Sequence, residues 1–380
     1  MQPSTSHGPT TSLRVPSPLR SLFTSKSSTE PTYVIFPILS AIFFYLLWVV
    51  MYQNGSADAM NAAVEAASLP NGMALKVRYT GIPPIDGLLA ILVAFTYPVT
   101  DGHDKASWLL MVDIVSTLQT GLLWAYMESL RFGRKTAWMA YPSLVYLAVN
   151  AMGAAAILPM YFYIQLRNHP GEHYIQLWNA KPLMFSVAIG GLLPGLAEIA
   201  RPLFPASPLE HQNIIAIMQV SPLMVSAIQY VASNLYPIRN IDVRTRKTAY
   251  VPSVQNALVL GGIVSALSHL VIVGYVLLGG QSLLSIYMPN YNKAFQAQGE
   301  AKLLEGSRLF LQYDYIGITA SVLLWCYYLV IGLSGVDKTL LLIGLVAGDL
   351  ILGPGAVASG VLWWREHKML EQTQAKKKAI

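Results

Sequence analysis

Val254 to Leu278 reads VQNALVLGGIVSALSHLVIVGYVLL, 25 residues without a single Asp, Glu, Lys or Arg. At 1.5 Å rise per residue, a helix of this length exceeds the roughly 30 Å of a bilayer's hydrocarbon core. In lipid every backbone N–H and C=O must be paired within the segment, so the run predicts a transmembrane α-helix. The same test, carried outward, marks eight more: Tyr33–Tyr52, Pro83–Val99, Ser107–Tyr126, Ala137–Tyr163, Pro182–Ala200, Ile214–Leu235, Tyr315–Leu333 and Thr339–Trp363. The expected fold is all-α, a polytopic bundle of about nine helices, with seven or eight as the alternatives.

Composition agrees. Of 380 residues 54% are hydrophobic and 12% charged, against roughly 45–50% and about 25% in soluble domains. A chain so poor in charge cannot cover a water-facing surface, and lipid is the solvent that remains. Tyr and Trp gather at span ends, as in Tyr33, Tyr52, Trp108, Tyr236 and Trp363–Trp364, where amphipathic rings favour the headgroup layer. The net charge of +6 sits in short clusters between apolar runs, which suits anionic lipid headgroups and not nucleic acid. Residues 1–31 are Ser-, Thr- and Pro-rich and read as a disordered tail. Residues 32–364 form the bundle and 365–380 a basic tail.

Over nine crossings the Lys and Arg of alternate loops divide almost evenly. A small excess on the C-terminal side makes that side cytosolic by the positive-inside rule. Lys377 and Lys378 stand four and three places from the end and look like a dilysine retrieval signal of the endoplasmic reticulum. The sequon Asn54-Gly55-Ser56 asks for the opposite side.

A charged side chain at the bilayer centre costs between about 2.5 and over 10 kcal/mol, so each intramembrane acid is a functional candidate. Asp349 is the deepest, beside a small-residue surface at Gly344 and Gly348 that offers a packing explanation instead. Asp113, Thr117, Thr120, Trp124 and Glu128 share one helix face. That face lines a polar cavity, or else Glu128 merely pairs with Arg131 and leaves Asp113 to be explained. Asp86, after Pro83-Pro84, fits a helix cap as well as it fits catalysis. Glu198 and Arg201 read as an interfacial pair, and His269 as a bundle histidine or a pocket residue. Gln212, Gln219, Ser226 and Ser233 recur every seven residues, a helix face turned from lipid.

There is no DDxxD box, Walker loop, HExxH or histidine-box array, and the one cysteine, Cys326, lies in an apolar run. No cofactor or metal is expected. Acid–base chemistry on a lipophilic molecule remains, or else transport or scaffolding.

The run Tyr79-Thr80-Gly81-Ile82-Pro83-Pro84-Ile85-Asp86, the segment His211-Gln212 to Gln219-Val220-Ser221-Pro222, Phe310-Leu311-Gln312-Tyr313-Asp314 and Gly353-Pro354-Gly355 resemble fungal integral-membrane terpene cyclases of macrophorin- and ascofuranone-type meroterpenoid biosynthesis. They also resemble polytopic proteins of paxilline-type indole-diterpene clusters. The resemblance implies cyclisation of a prenyl chain, started by protonating an epoxide or a terminal alkene. A carboxylic acid desolvated in an apolar bundle keeps its proton near neutral pH and suits that task. The acids to test are then Asp349, Asp113, Glu128 and Asp86, with Trp124, Gln219, Trp325 and His269 as substrate contacts. The expected partners are a lipophilic prenylated small molecule, membrane lipids and other enzymes of the same pathway. The competing reading is a membrane transporter or a non-catalytic scaffold.

Overall fold

The structure, a computed structural model, describes residues 31–133, 135–167, 174–204, 206–236, 248–331 and 336–378. The tail expected before Pro31 lies outside them. Thirteen helices carry the argument: α1 (Ile35–Gln53), α2 (Ser56–Glu65), α3 (Pro83–Thr100), α4 (Lys105–Leu130), α5 (Pro142–Met152), α6 (Ala154–Arg167), α7 (Leu177–Ile199), α8 (Pro208–Gln219), α9 (Ser221–Leu235), α10 (Val251–Leu277), α11 (Glu300–Val330), α12 (Lys338–Leu352) and α13 (Pro354–Lys378). Six of them, α1, α3, α4, α7, α10 and α11, are long and apolar enough to cross a membrane. The bent pair α8–α9, with 58° between its halves, makes up to seven.

Contacts between helix ends sort the bundle into two faces. Tyr33, just before α1, packs edge-on against Tyr328 near the end of α11, with ring centroids 5.3 Å apart. Trp124 and Trp325 bring the last turns of α4 and α11 together. The Tyr250 hydroxyl, preceding α10, donates to Glu366 Oε2 of α13 at 3.1 Å. All of these ends therefore share one face, called here the C-terminal face. On the opposite face Lys302 Nζ donates to the Asn54 carbonyl (2.8 Å), and Arg308 meets Asp104 Oδ2 at 3.4 Å.

Three of the nine expected spans do not change sides, two of them because they turn back on themselves. The segment drawn as Ala137–Tyr163 leaves the C-terminal face and returns to it. Phe132 N–H donates to the Tyr174 carbonyl at 2.9 Å, and Arg131 bridges Ile175, so its two stems stand side by side. Between them α5 and α6 form a re-entrant hairpin with Gly153 at the tip, at φ 88°. A Cβ there would lie 2.6 Å from Leu47 Cδ1. The segment drawn as Thr339–Trp363 does the same. α12 follows the end of α11, turns at Gly353 (φ 79°) and returns as α13 to bury Arg365 and Glu366 at the C-terminal face. The helix expected to stop at the membrane edge runs on through Lys378.

α3 also fails to change sides. Lys76, seven residues before it, donates its N–H to Gln212 Oε1 near the start of α8 at 2.7 Å, and Asp104 after it meets Arg308 in the first turns of α11, so the chain approaches and leaves α3 on the opposite face. Six crossings result, made by α1, α4, α7, α8–α9, α10 and α11. The bundle thus begins and ends on one face, where nine crossings would have separated its ends.

This path redistributes the basic residues. The opposite face keeps Lys76, Arg78, Lys105, Arg201, Lys293, Lys302 and Arg308. The connections on the C-terminal face, with the segment after α13's buried pair, hold about twice as many, four of them between Leu235 and Val251. By the positive-inside rule the C-terminal face is the one expected to meet the cytosol. Asn54 then belongs to the non-cytosolic face, but it is buried, and its Oδ1 accepts the Ser56 N–H at 2.9 Å. In sealed vesicles, protease should remove a C-terminal tag and cut a site inserted at 133–136, while sparing one inserted at 70–72. The reverse pattern would overturn the assignment.

Candidate active site

The bundle surrounds a cavity of about 270 Å³ whose wall is mostly apolar. Its floor is the tip of the first re-entrant hairpin, Val149 to Gly153, and α1, α2, α3, α4, α7, α8 and α11 complete the sides. Trp48, Phe95 and Phe310 form one aromatic wall. Phe310 stands edge-on to Trp48 at 5.7 Å and to Phe95 at 5.1 Å between ring centroids. Trp48 lies in a π-helical turn, Tyr45–Val49. Such a turn inserts an extra residue and re-aims the side chains around it.

Two acidic residues line this cavity, Glu198 and Asp314. α7 carries a second π turn, Ala188–Leu192, where Gly190 and Gly191 fit against Val225 and Gln119. The register it sets turns Glu198 inward. Glu198 is fully buried, and neither of its oxygens has a hydrogen-bond partner. The expected pair with Arg201 does not form, because the Arg201 guanidinium lies over the Tyr97 ring, 5.2 Å from its centroid. Asp314 is held differently. Its Oδ1 accepts the Ala155 N–H at 2.7 Å, at the N-terminus of α6. A helix restarted in the membrane interior leaves orphan N–H groups with no water to satisfy them, and a carboxylate on α11 answers both that need and the helix dipole. Gln219 and Asn150 complete the polar part of the wall, with Asn150 Nδ2 donating to the Gln219 carbonyl at 3.1 Å.

The tip of the second hairpin meets another acidic centre. Asp113 Oδ2 accepts from His269 Nδ1 (2.7 Å), the Tyr287 hydroxyl (2.8 Å) and the Tyr315 hydroxyl (2.9 Å). Gly353 packs on the His269 ring, and its N–H donates to the carbonyl of Asp349, one turn earlier on α12. Asp113 Oδ1 and Asp349 Oδ1 are buried without partners. Three of the residues singled out in the sequence, Asp349, Asp113 and His269, thus come together here.

The CtvD domain family matches residues 32–370, a stretch that contains the cavity and both hairpins. The chain belongs to this family. Among curated relatives it is 26% identical to terpene cyclase DEP1 of Alternaria brassicicola, over 87% of this chain and 97% of the relative. It is 27% identical to terpene cyclase DEP1 of Fusarium langsethiae over the same shares. To terpene cyclase atmA of Aspergillus flavus it is 25% identical, over 87% and 96%. No solved structure matches.

Elsewhere in this CtvD-family chain, the remaining candidates are engaged in contacts within and between helices. Glu128 accepts from Arg131 Nε at 3.0 Å, from Gln165 at 3.3 Å and, through its other oxygen, from Arg365. Arg131 and Arg365 also hold Glu366. Asp86 gathers the Tyr79, Thr80 and Gly81 N–H groups and the Thr80 hydroxyl at 2.6–3.0 Å, pinning the turn that enters α3, while no side chain caps the helix itself. The stripe from Asp113 to Glu128 is buried along its length, but in helix contacts. Thr120 packs on Gly261 of α10, and Trp124 Nε1 donates to Ser359 Oγ of α13 at 3.1 Å. Trp325 donates to Gln165 at 2.9 Å and stacks on Phe162. Of the expected substrate contacts Gln219 lines the cavity.

Asp314 was missed because the span was drawn from Tyr315, whereas the helix begins at Glu300 and carries Asp314 four turns inside. Asn150 was hidden in a segment read as a plain crossing. The hairpin tip can be tested directly. Gly153→Ala should destabilise the protein by about 1–3 kcal/mol from backbone strain, with overpacking of similar size against Leu47 and Phe310. It should appear as a lowered unfolding temperature in detergent, and an unchanged one would contradict the tip.

Proposed function

We propose that this chain is a metal-independent membrane terpene cyclase and that Glu198 is its proton donor. The observation that carries the assignment is a fully buried carboxyl, both oxygens unpartnered, in the wall of an apolar cavity. Burying an unpaired charge is far costlier than burying a neutral acid, and a neutral acid has a proton to give. The proton adds to an epoxide oxygen or a terminal alkene carbon of a prenyl chain. Neighbouring double bonds close onto the cation, and loss of a proton from carbon ends the sequence. The product is an isomer of the substrate, and no cofactor is consumed.

Trp48, Phe95 and Phe310 stabilise the migrating cation, at about 0.5–2 kcal/mol per ring. Asp314, fixed on the α6 N-terminus, holds a negative charge on the same cavity without needing to move. Gln219 and Asn150 orient the polar part of the substrate. A second reading places the donor at Asp349 or Asp113, supported by their unpartnered Oδ1 atoms. Asp113 is already bonded to three donors, which favours a structural or positioning task for that centre. Lys377 and Lys378 on the cytosolic side support residence in the endoplasmic reticulum.

Microsomes containing the protein, given an epoxyprenyl or prenyl arene and nothing else, should convert it to a cyclised isomer. A transporter or scaffold would return it unchanged.

A further inference from the structure

The heptad stripe on α8 and α9 has a use that the cyclisation site does not exhaust. Gln219 lines the cavity described above, while Ser226 and Ser233, farther along the stripe, line a second cavity of about 420 Å³. This cavity lies at the C-terminal face, between the last turns of α4, the mouth of the first re-entrant hairpin, the start of α7 and the end of α9. α5 makes the same connection, with Ser143 in the second cavity and Asn150 in the first. On α5 seven residues of helix separate Ser143 from Asn150, about 10 Å, while the bend between α8 and α9 falls between Gln219 and Ser226.

The chemistry of the second cavity is specific. Among the described residues its wall is rich in hydroxyl, amide and aromatic groups and contains no Lys, Arg, Asp or Glu. Gln229, 5% exposed, donates through Nε2 to the Asn179 carbonyl (2.8 Å) and to Ser233 Oγ (3.0 Å). Its Oε1 is buried with no partner, and a buried acceptor left unmade is costly. A ligand matched to the described wall brings an O–H or N–H donor for its hydroxyl and amide oxygens and finds no charged partner among them. The position, at headgroup depth about 10 Å from an apolar cavity, asks for an apolar stem attached to that donor.

We propose that this cavity is a headgroup site for a neutral, hydroxyl-bearing amphiphile whose apolar stem points along α5 and α9 toward the cyclisation cavity. The same chemistry is offered by a prenylated phenol, the substrate's own non-prenyl part, and by a glycerol-type lipid. The functional link rests on the cyclase reading, but occupancy of the site does not.

The test uses photo-crosslinking of the full-length protein in nanodiscs, with three probes carrying the same diazirine: a farnesylated phenol, its O-methyl ether, and a monoacylglycerol. The phenol should label the peptides around Ser143 or Ser226–Asn234. The methyl ether, lacking the donor, should label them about fivefold less, as loss of one neutral hydrogen bond gives. Gln229→Leu should reduce phenol labelling by a similar factor, and Glu198→Gln should leave it intact even if cyclisation stops. Labelling by the monoacylglycerol, displaced by the phenol, supports a site shared by both sources. Labelling by the monoacylglycerol alone assigns it to lipid. Equal labelling by phenol and ether in the unaltered protein, or none at these peptides from any probe, overturns the proposal.

Discussion

Glu198→Gln should remove cyclisation almost completely while leaving the protein in the membrane at normal abundance. The amide keeps the size and shape of the side chain and takes away only the transferable proton. General acid catalysis contributes roughly 10²–10⁴-fold, so turnover per correctly inserted molecule should fall by that factor. Folding should survive, because neither Glu198 oxygen makes a hydrogen bond that the amide would break. Asp349→Asn and Asp113→Asn provide the comparison. If the donor belongs to the second hairpin's centre, Asp349→Asn shows the large loss and Glu198→Gln does not, which would sink the assignment made here. Asp113→Asn should act mainly on yield, since it disturbs an oxygen that accepts from His269, Tyr287 and Tyr315 at once. Asp314→Asn should lower both yield and turnover, because Asp314 holds the hairpin tip and lines the cavity.

Much of the architecture was legible in residue order, and its failures have a common physical origin. Length and apolarity identify chain that avoids water, and the two re-entrant hairpins avoid it as thoroughly as a crossing helix does. Their stems, 11 and 14 residues in one case, add up to a plausible span when joined across a glycine. The punctuation was nonetheless present. Gly353-Pro354-Gly355 combines a residue that tolerates positive φ with one that starts helices, and Gly153 interrupts an otherwise strong helical run. The intramembrane cost of charge marked Asp113 and Asp349 as functional candidates, and the structure brings both to the second hairpin, Asp113 with three donors on one oxygen. It could not show that Glu198 lacks a partner. Arg201, three residues on, is a natural partner on paper, and only the packing of its guanidinium on Tyr97 leaves the acid alone. Asp314 illustrates the converse, since an acid drawn at a span boundary looks harmless until the helix proves to start four turns earlier.

Removing one member of the Glu128–Arg131–Arg365–Glu366 cluster should be the most damaging single change to stability. All four side chains are buried, and they join α4 to α13 while Gln165 and Tyr250 tie in α6 and the start of α10. Two carboxylates and two guanidinium groups balance in charge, and each is solvated chiefly by the others. Arg365→Met leaves Glu128 and Glu366 with Arg131 alone, and breaking a buried pair in this way costs about 3–5 kcal/mol. The second hairpin would lose its anchor at the C-terminal face, so the yield of extractable, monodisperse protein should collapse. Pairing Arg365→Met with Glu128→Gln removes one charge of each sign and should restore a large part of that yield, so the two effects should be far from additive. The molecules that do fold should still cyclise, because neither residue lines the cavity that holds Glu198. Glu128→Gln that folds normally yet has lost turnover would instead make Glu128 an initiating acid, and the separation between scaffold and chemistry drawn here would fail.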